Sequence, residues 1–129
     1  MLAASLASDV ARVVFGVALL AAGVAKVAQG ASWVAQAAAN QIPNAVARGV
    51  PWLELLTGAT IVSGVASPWP EIVGLALLGA FTVWIVGQLA AGRHPPCACF
   101  GALSAAPLSW WHGARNAVLI ALGIVAVVG

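Results

Sequence analysis

Long apolar runs separated by short polar or proline-marked breaks dominate the chain. Residues 10–28 are apolar except for Arg12 and Lys26 near the two ends, a length that crosses the hydrocarbon while both charges reach toward the interfaces. Residues 31–49 are alanine-rich but carry Gln36, Asn40, Gln41, Pro43, Asn44 and Arg48. Pro43 interrupts any continuous helix there, so this stretch reads as an interfacial or re-entrant segment. A second span is expected over residues 52–66, short and rich in Gly, Thr and Ser, residues that let membrane helices approach closely. Ser67-Pro68-Trp69-Pro70 ends it. Residues 71–91 form the third span, with Glu71 at its start near the interface and Trp84 and Gln88 toward its far end. Residues 92–108 form a loop holding Pro95, Pro96, Cys97, Cys99 and Pro107. Trp110, Trp111 and His112 mark an interfacial belt before the fourth span, residues 112–128. The expected fold is therefore all-α, a transmembrane four-helix bundle forming one integral membrane domain over residues 1–129.

Composition strengthens this reading. Of 129 residues 63% are hydrophobic and 6% charged, with a mean hydropathy of +1.05, whereas a soluble domain carries about 25% charged residues. Four spans of about 20 residues nearly exhaust the chain and leave no room for a soluble catalytic domain. The net charge of +2 comes from scattered single residues, unlike the clustered basic footprint of a nucleic-acid binder, which excludes nucleic acid as a partner. Asp9 and Arg12 precede the first apolar run, and no small-residue cleavage site is followed by soluble sequence; the first segment is expected to stay in the mature protein. Loop charges leave the orientation open. An even span count puts Lys26, Arg48, Arg93 and Arg115 on one side against Arg12, which would make the cysteine loop cytoplasmic, but Arg12, Lys26 and Arg115 are expected within the bundle.

At helical spacing Arg12, Gly16, Leu19, Gly23 and Lys26 fall within an arc of about 80° on the first helix, a stripe that should face the bundle. Ionisable groups at membrane depth cost roughly 2.5 to 3.5 kcal/mol on insertion scales and pair with one another or line a cavity. Glu54 is the natural partner of this stripe. The specific expectation pairs it with Arg12 or Arg115, while snorkelling to the headgroups is the competing account, above all for Lys26. Arg115 and Asn116 open the last span, within reach of the cysteine loop.

The richest stretch chemically is His94-Pro95-Pro96-Cys97-Ala98-Cys99-Phe100-Gly101. Thiols one residue apart in a proline-stiffened loop can close a small, strained disulfide that is readily reduced and exchanged. Arg93, His94 and Arg115 would favour the attacking thiolate. Two other readings stand beside this one: free cysteines acting as small hydrophobes, and a soft metal held by two thiolates with His94 or His112. Two thiolates without a fixed third ligand make a weak metal site, and none is assigned.

The order of these features resembles the MauE branch of the DoxX-like membrane proteins, named for methylamine utilisation. The resemblance runs through Arg12-Val13-Val14-Phe15-Gly16, Gly23-Val24-Ala25-Lys26, Pro51-Trp52-Leu53-Glu54 with Gly58, the Cys97-Ala98-Cys99-Phe100-Gly101 loop, and Arg115-Asn116. It covers nearly the whole chain, and the cysteine loop followed by the Arg-Asn pair is its most specific part. The family usually has Gly between the cysteines, and Ala98 departs from that. The resemblance implies a four-helix relative of the disulfide-forming and vitamin K epoxide reductase membrane enzymes, serving thiol redox or maturation of extracytoplasmic proteins beside a thioredoxin-like partner.

These features together predict a thiol-disulfide exchange protein, a thiol-disulfide oxidoreductase in reaction type, embedded in the bacterial cytoplasmic membrane. Cys97 and Cys99 carry the exchange, with Arg12, Lys26, Glu54, His94, Arg115 and Asn116 in support, and the partners are a thioredoxin-like protein and the lipid bilayer. No motif identifies a quinone site. The rival readings are a noncatalytic assembly or chaperone subunit of a membrane complex, and a copper or zinc handling protein.

Overall fold

The computed structural model describes residues 2–93 and 109–128. Among these there are five helices and no strand: α1 Leu2–Gln29, α2 Ala31–Ala39, α3 Asn44–Ser63, α4 Trp69–Ala90 and α5 Trp110–Val128. Three stretches, Leu6–Gln29, Trp69–Ala90 and Trp110–Val128, are long and apolar enough to cross a membrane. They overlap the first, third and fourth expected spans. The second departs from expectation, because its helix starts at Asn44, well before Trp52, and ends at Ser63. α3, which carries Asn44, Arg48 and Glu54, is not among the stretches apolar enough to cross. The stretch expected to be interfacial thus divides into α2 and the first turns of α3, with Pro43 preceding the latter.

Pro51 sits inside α3 without ending it. Proline supplies no amide for the carbonyl four residues back, here Ala47, which would stay unpaired in the buried helix. The Trp33 indole of α2 fills the gap, its Nε1 donating to Ala47 O at 2.6 Å. Trp33, Ala37 and Ala47 form one buried cluster, with Phe81 and Trp84 of α4 against it.

α1 meets α3 and α5, and α4 meets the same two helices, so the four longer helices close a ring of contacts. α1 packs most extensively on α3, and glycine makes that possible. A Cβ on Gly58 would lie 2.8 Å from Gly16 O, and one on Gly23 would lie 2.9 Å from Pro51 O. These contacts set α1 and α3 antiparallel, the backbones touching where no side chain intervenes. Phe15, Leu19, Ile61 and Leu78 fill the centre.

Burial is inverted relative to a soluble protein. Val10, Val17, Val24, Val83, Val118 and Val128 face outward, while Lys26, Glu54, Glu71, His112 and Asn116 are buried. An apolar surface around an interior that also holds the charged and polar groups is what a hydrocarbon solvent selects. Exposed Trp69, Trp110 and Trp111 stand at the starts of α4 and α5, as interfacial aromatics do.

Candidate functional site

The stripe on α1 faces inward as expected, but its charges take different partners from those the sequence suggested. Lys26 Nζ donates to both carboxylate oxygens of Glu54, at 2.9 and 3.1 Å. The two side chains are 0% and 2% exposed, so Lys26 does not snorkel. Its ammonium also lies 4.9 Å from the Phe81 ring centre and 5.3 Å from that of Trp33, aromatic faces that attract a desolvated cation. The pairing of Glu54 with Arg12 or Arg115 is thereby corrected. Side chains tilt toward the N-terminus of their own helix, so in antiparallel α1 and α3 those of Lys26 and Glu54 lean toward each other.

Arg12 lies near the other end of α3. Its Nη1 donates to Ile61 O at 2.7 Å and Val62 O at 2.8 Å. These carbonyls belong to the last turn of α3, where the helix dipole is negative; Ile61 O also accepts the amide of left-handed Gly64 at 3.1 Å. Asp9 is 3.9 Å away. Glu71 stands in the first turn of α4, as its place after the proline break suggests, and is 0% exposed, enclosed by protein. Ser67 Oγ donates to its Oε1 at 3.2 Å.

At the start of α5 a polar relay joins two helices. Arg115 Nε and Nη2 donate to Asn116 Oδ1 at 3.2 and 3.1 Å. Asn116 Nδ2 then donates to Thr82 Oγ1 at 3.2 Å, and Thr82 Oγ1 donates to Leu78 O at 2.7 Å. Buried His112 accepts the Ser109 amide at Nδ1, 3.0 Å away. Arg93 Nε donates to Gln88 Oε1 at 2.8 Å where α4 ends. Arg93 and Ser109 flank in sequence the stretch that contains His94, Cys97 and Cys99, which lies outside the described residues. Among the described residues no group of three or more His, Cys, Asp or Glu could hold a metal ion; the soft-metal reading depends on the undescribed thiols.

Thr82, Trp33, Phe81 and Glu71 were not singled out as site residues by the sequence. A threonine on an apolar helix opposite an Asn-bearing helix is a visible signal in retrospect, as is a proline one turn after a helix begins to bury its face.

An inverted burial pattern and three long apolar helices define an integral membrane protein with an all-helical fold. A sequence model of the family described as methylamine utilisation protein MauE matches residues 4–129, and the chain belongs to that family. Neither a curated protein nor a solved structure matches it.

Proposed function

We propose that the chain is a four-span protein of the bacterial cytoplasmic membrane that exchanges thiols and disulfides through Cys97 and Cys99 and thereby supports redox maturation of other proteins. The observation that carries this reading is family membership over residues 4–129, a range that includes the cysteine loop. The buried polar groups favour it too. Lys26, Glu54, Arg12 and Asn116 are engaged in bonds that hold helices together, so the reactive groups are sought in the thiols.

In the proposed step a thiolate of the pair attacks one sulfur of a thioredoxin-like partner's disulfide, and the partner's other sulfur leaves as a thiolate. The second thiol then attacks the mixed disulfide, closing the Cys97–Cys99 bond and releasing the reduced partner. Two electrons pass to the partner, and a second thiol donor resets the pair; the same steps run backward oxidise the partner. Arg115, bordering the loop, would stabilise the thiolate.

Cys97→Ser and Cys99→Ser, expressed separately and trapped by acid quench and alkylation, distinguish the steps. One variant is expected to accumulate a reductant-sensitive adduct with a thioredoxin-like protein, because the resolving thiol is missing. If neither traps an adduct and the double variant functions fully in cells, the exchange reading fails and the assembly-subunit reading replaces it.

A further inference from the structure

Arg48 stands apart from the other basic residues. Among the described residues Lys26 is bonded to Glu54, Arg12 to the end of α3, Arg93 to Gln88 and Arg115 to Asn116. Arg48 is exposed and makes no hydrogen bond or ion pair there. It lines an open cavity of about 350 Å³ between the end of α1, the start of α2 and the first half of α3, together with Lys26, Trp33, Pro51 and Trp52. Glu54 already neutralises Lys26, so the cavity keeps the uncompensated positive charge of Arg48.

The mouth of this cavity is amphipathic. Trp52 is 63% exposed, Val27 is exposed beside it, and Leu56, one turn further along α3, is 65% exposed. Because α1 and α3 are antiparallel, descending residue numbers on α1 and ascending numbers on α3 both lead from Arg48 toward the middle of the helices. A ligand seated here meets a guanidinium and an indole at one end and an apolar strip at the other. A guanidinium matches a phosphate in charge and in donor geometry, and an exposed indole beside it offers an apolar body with a polar edge, suited to the border between a headgroup and an acyl chain.

We propose that this cavity binds an anionic phospholipid, with its phosphate on Arg48 and an acyl chain along Val27, Trp52 and Leu56. This site is independent of the cysteine pair. The lipid would help hold α2 against α3, where Trp33 and Ala47 already meet.

The test uses the full chain in a neutral detergent, titrated with phosphatidylglycerol or phosphatidylcholine and followed by melting temperature and by retained adducts in native mass spectrometry. Phosphatidylglycerol is expected to raise the melting temperature and persist as an adduct, with apparent affinity about fivefold above that of phosphatidylcholine. Arg48→Gln is expected to erase that preference without lowering the lipid-free melting temperature, because Arg48 makes no bond to the described protein. Arg93→Gln is expected to retain it. Equal response to the two lipids, or a preference that survives Arg48→Gln, overturns the proposal. Glycerol phosphate alone is expected to give no shift. An equal shift from it would identify a free-anion site and overturn the lipid assignment.

Discussion

Arg12 and Lys26 occupy one stripe of one helix, yet burial is offset differently at each. Lys26 is enclosed, and its charge is met by a full carboxylate and two aromatic faces. Arg12, whose side chain is 22% exposed, is met by two backbone carbonyls at the negative end of α3. The contrast teaches that depth decides the kind of partner. A cation removed wholly from water needs an opposite charge, because desolvation costs several kcal/mol per ion. One that keeps some exposure is satisfied by partial charges, and in return it adds donors to a helix end that the Gly64 amide caps only in part.

The largest effect should come from Glu54. Glu54→Gln leaves the Lys26 ammonium buried without its counter-charge, at a cost of roughly 3 to 5 kcal/mol. Measured as thermal unfolding in detergent, it should be among the most damaging single substitutions in the chain. Replacing both partners, as Lys26→Met with Glu54→Leu, should recover most of the loss, since a well-packed apolar pair is often no worse than a buried ion pair. A double variant as unstable as Glu54→Gln alone would show that the pair does more than compensate its own burial. Glu71→Gln offers no exposed control despite its place at a helix start, because its carboxyl group is enclosed too.

An intermediate effect is expected at Trp33. Trp33→Phe keeps an aromatic ring near Lys26 but removes the donor to Ala47 O, leaving a buried carbonyl unsatisfied at about 1 to 3 kcal/mol. The cause can be isolated with Pro51→Ala, which returns an amide to the ladder. In that background Trp33→Phe should cost clearly less. An equal cost with and without Pro51 would assign the loss to packing rather than to the carbonyl.

What could be read from the sequence follows from the same physics. Helical periodicity alone put Arg12, Gly16, Gly23 and Lys26 on one inward stripe, and the structure keeps them there, because a period of 3.6 residues is a property of the local backbone. The partner of each charge was not legible, since it depends on how α1 and α3 slide past each other. The backbone contacts of Gly16 with Gly58 and of Gly23 with Pro51 fix that register, and only then do Lys26 and Glu54 meet and Arg12 reach Ile61. α3 was misjudged at its start because Asn44 and Arg48 were read with the polar segment around Pro43, whereas Pro43 precedes a helix that runs on from Asn44. Pro51 inside that helix is tolerated because a residue of another helix supplies the missing bond, a compensation no local pattern reveals. Glu71 was placed by its distance along the chain from a proline break, which says where a helix begins but not what covers it.

The smallest of the three effects belongs to Arg12, and it tests the comparison most directly. Arg12→Met keeps the aliphatic stem against α3 while removing both donors to Ile61 O and Val62 O. Two features limit the damage. The carbonyls lie at a helix end beside a partly exposed side chain, so water or headgroups can replace the guanidinium, and the favourable term lost is a charge at a helix C-terminus, worth up to about 2 kcal/mol in partly buried geometry. No opposite charge is stranded, because Asp9 is 64% exposed and only loosely paired at 3.9 Å, the kind of contact that contributes little. Arg12→Met should therefore lower the melting temperature less than Glu54→Gln or Trp33→Phe, Arg12→Lys should restore part of the loss by returning one donor, and Asp9→Asn should change almost nothing. Should Arg12→Met prove as damaging as Glu54→Gln, depth would not be what separates the two cations, and the carbonyl pair would have to be ranked with the carboxylate as a partner for buried charge.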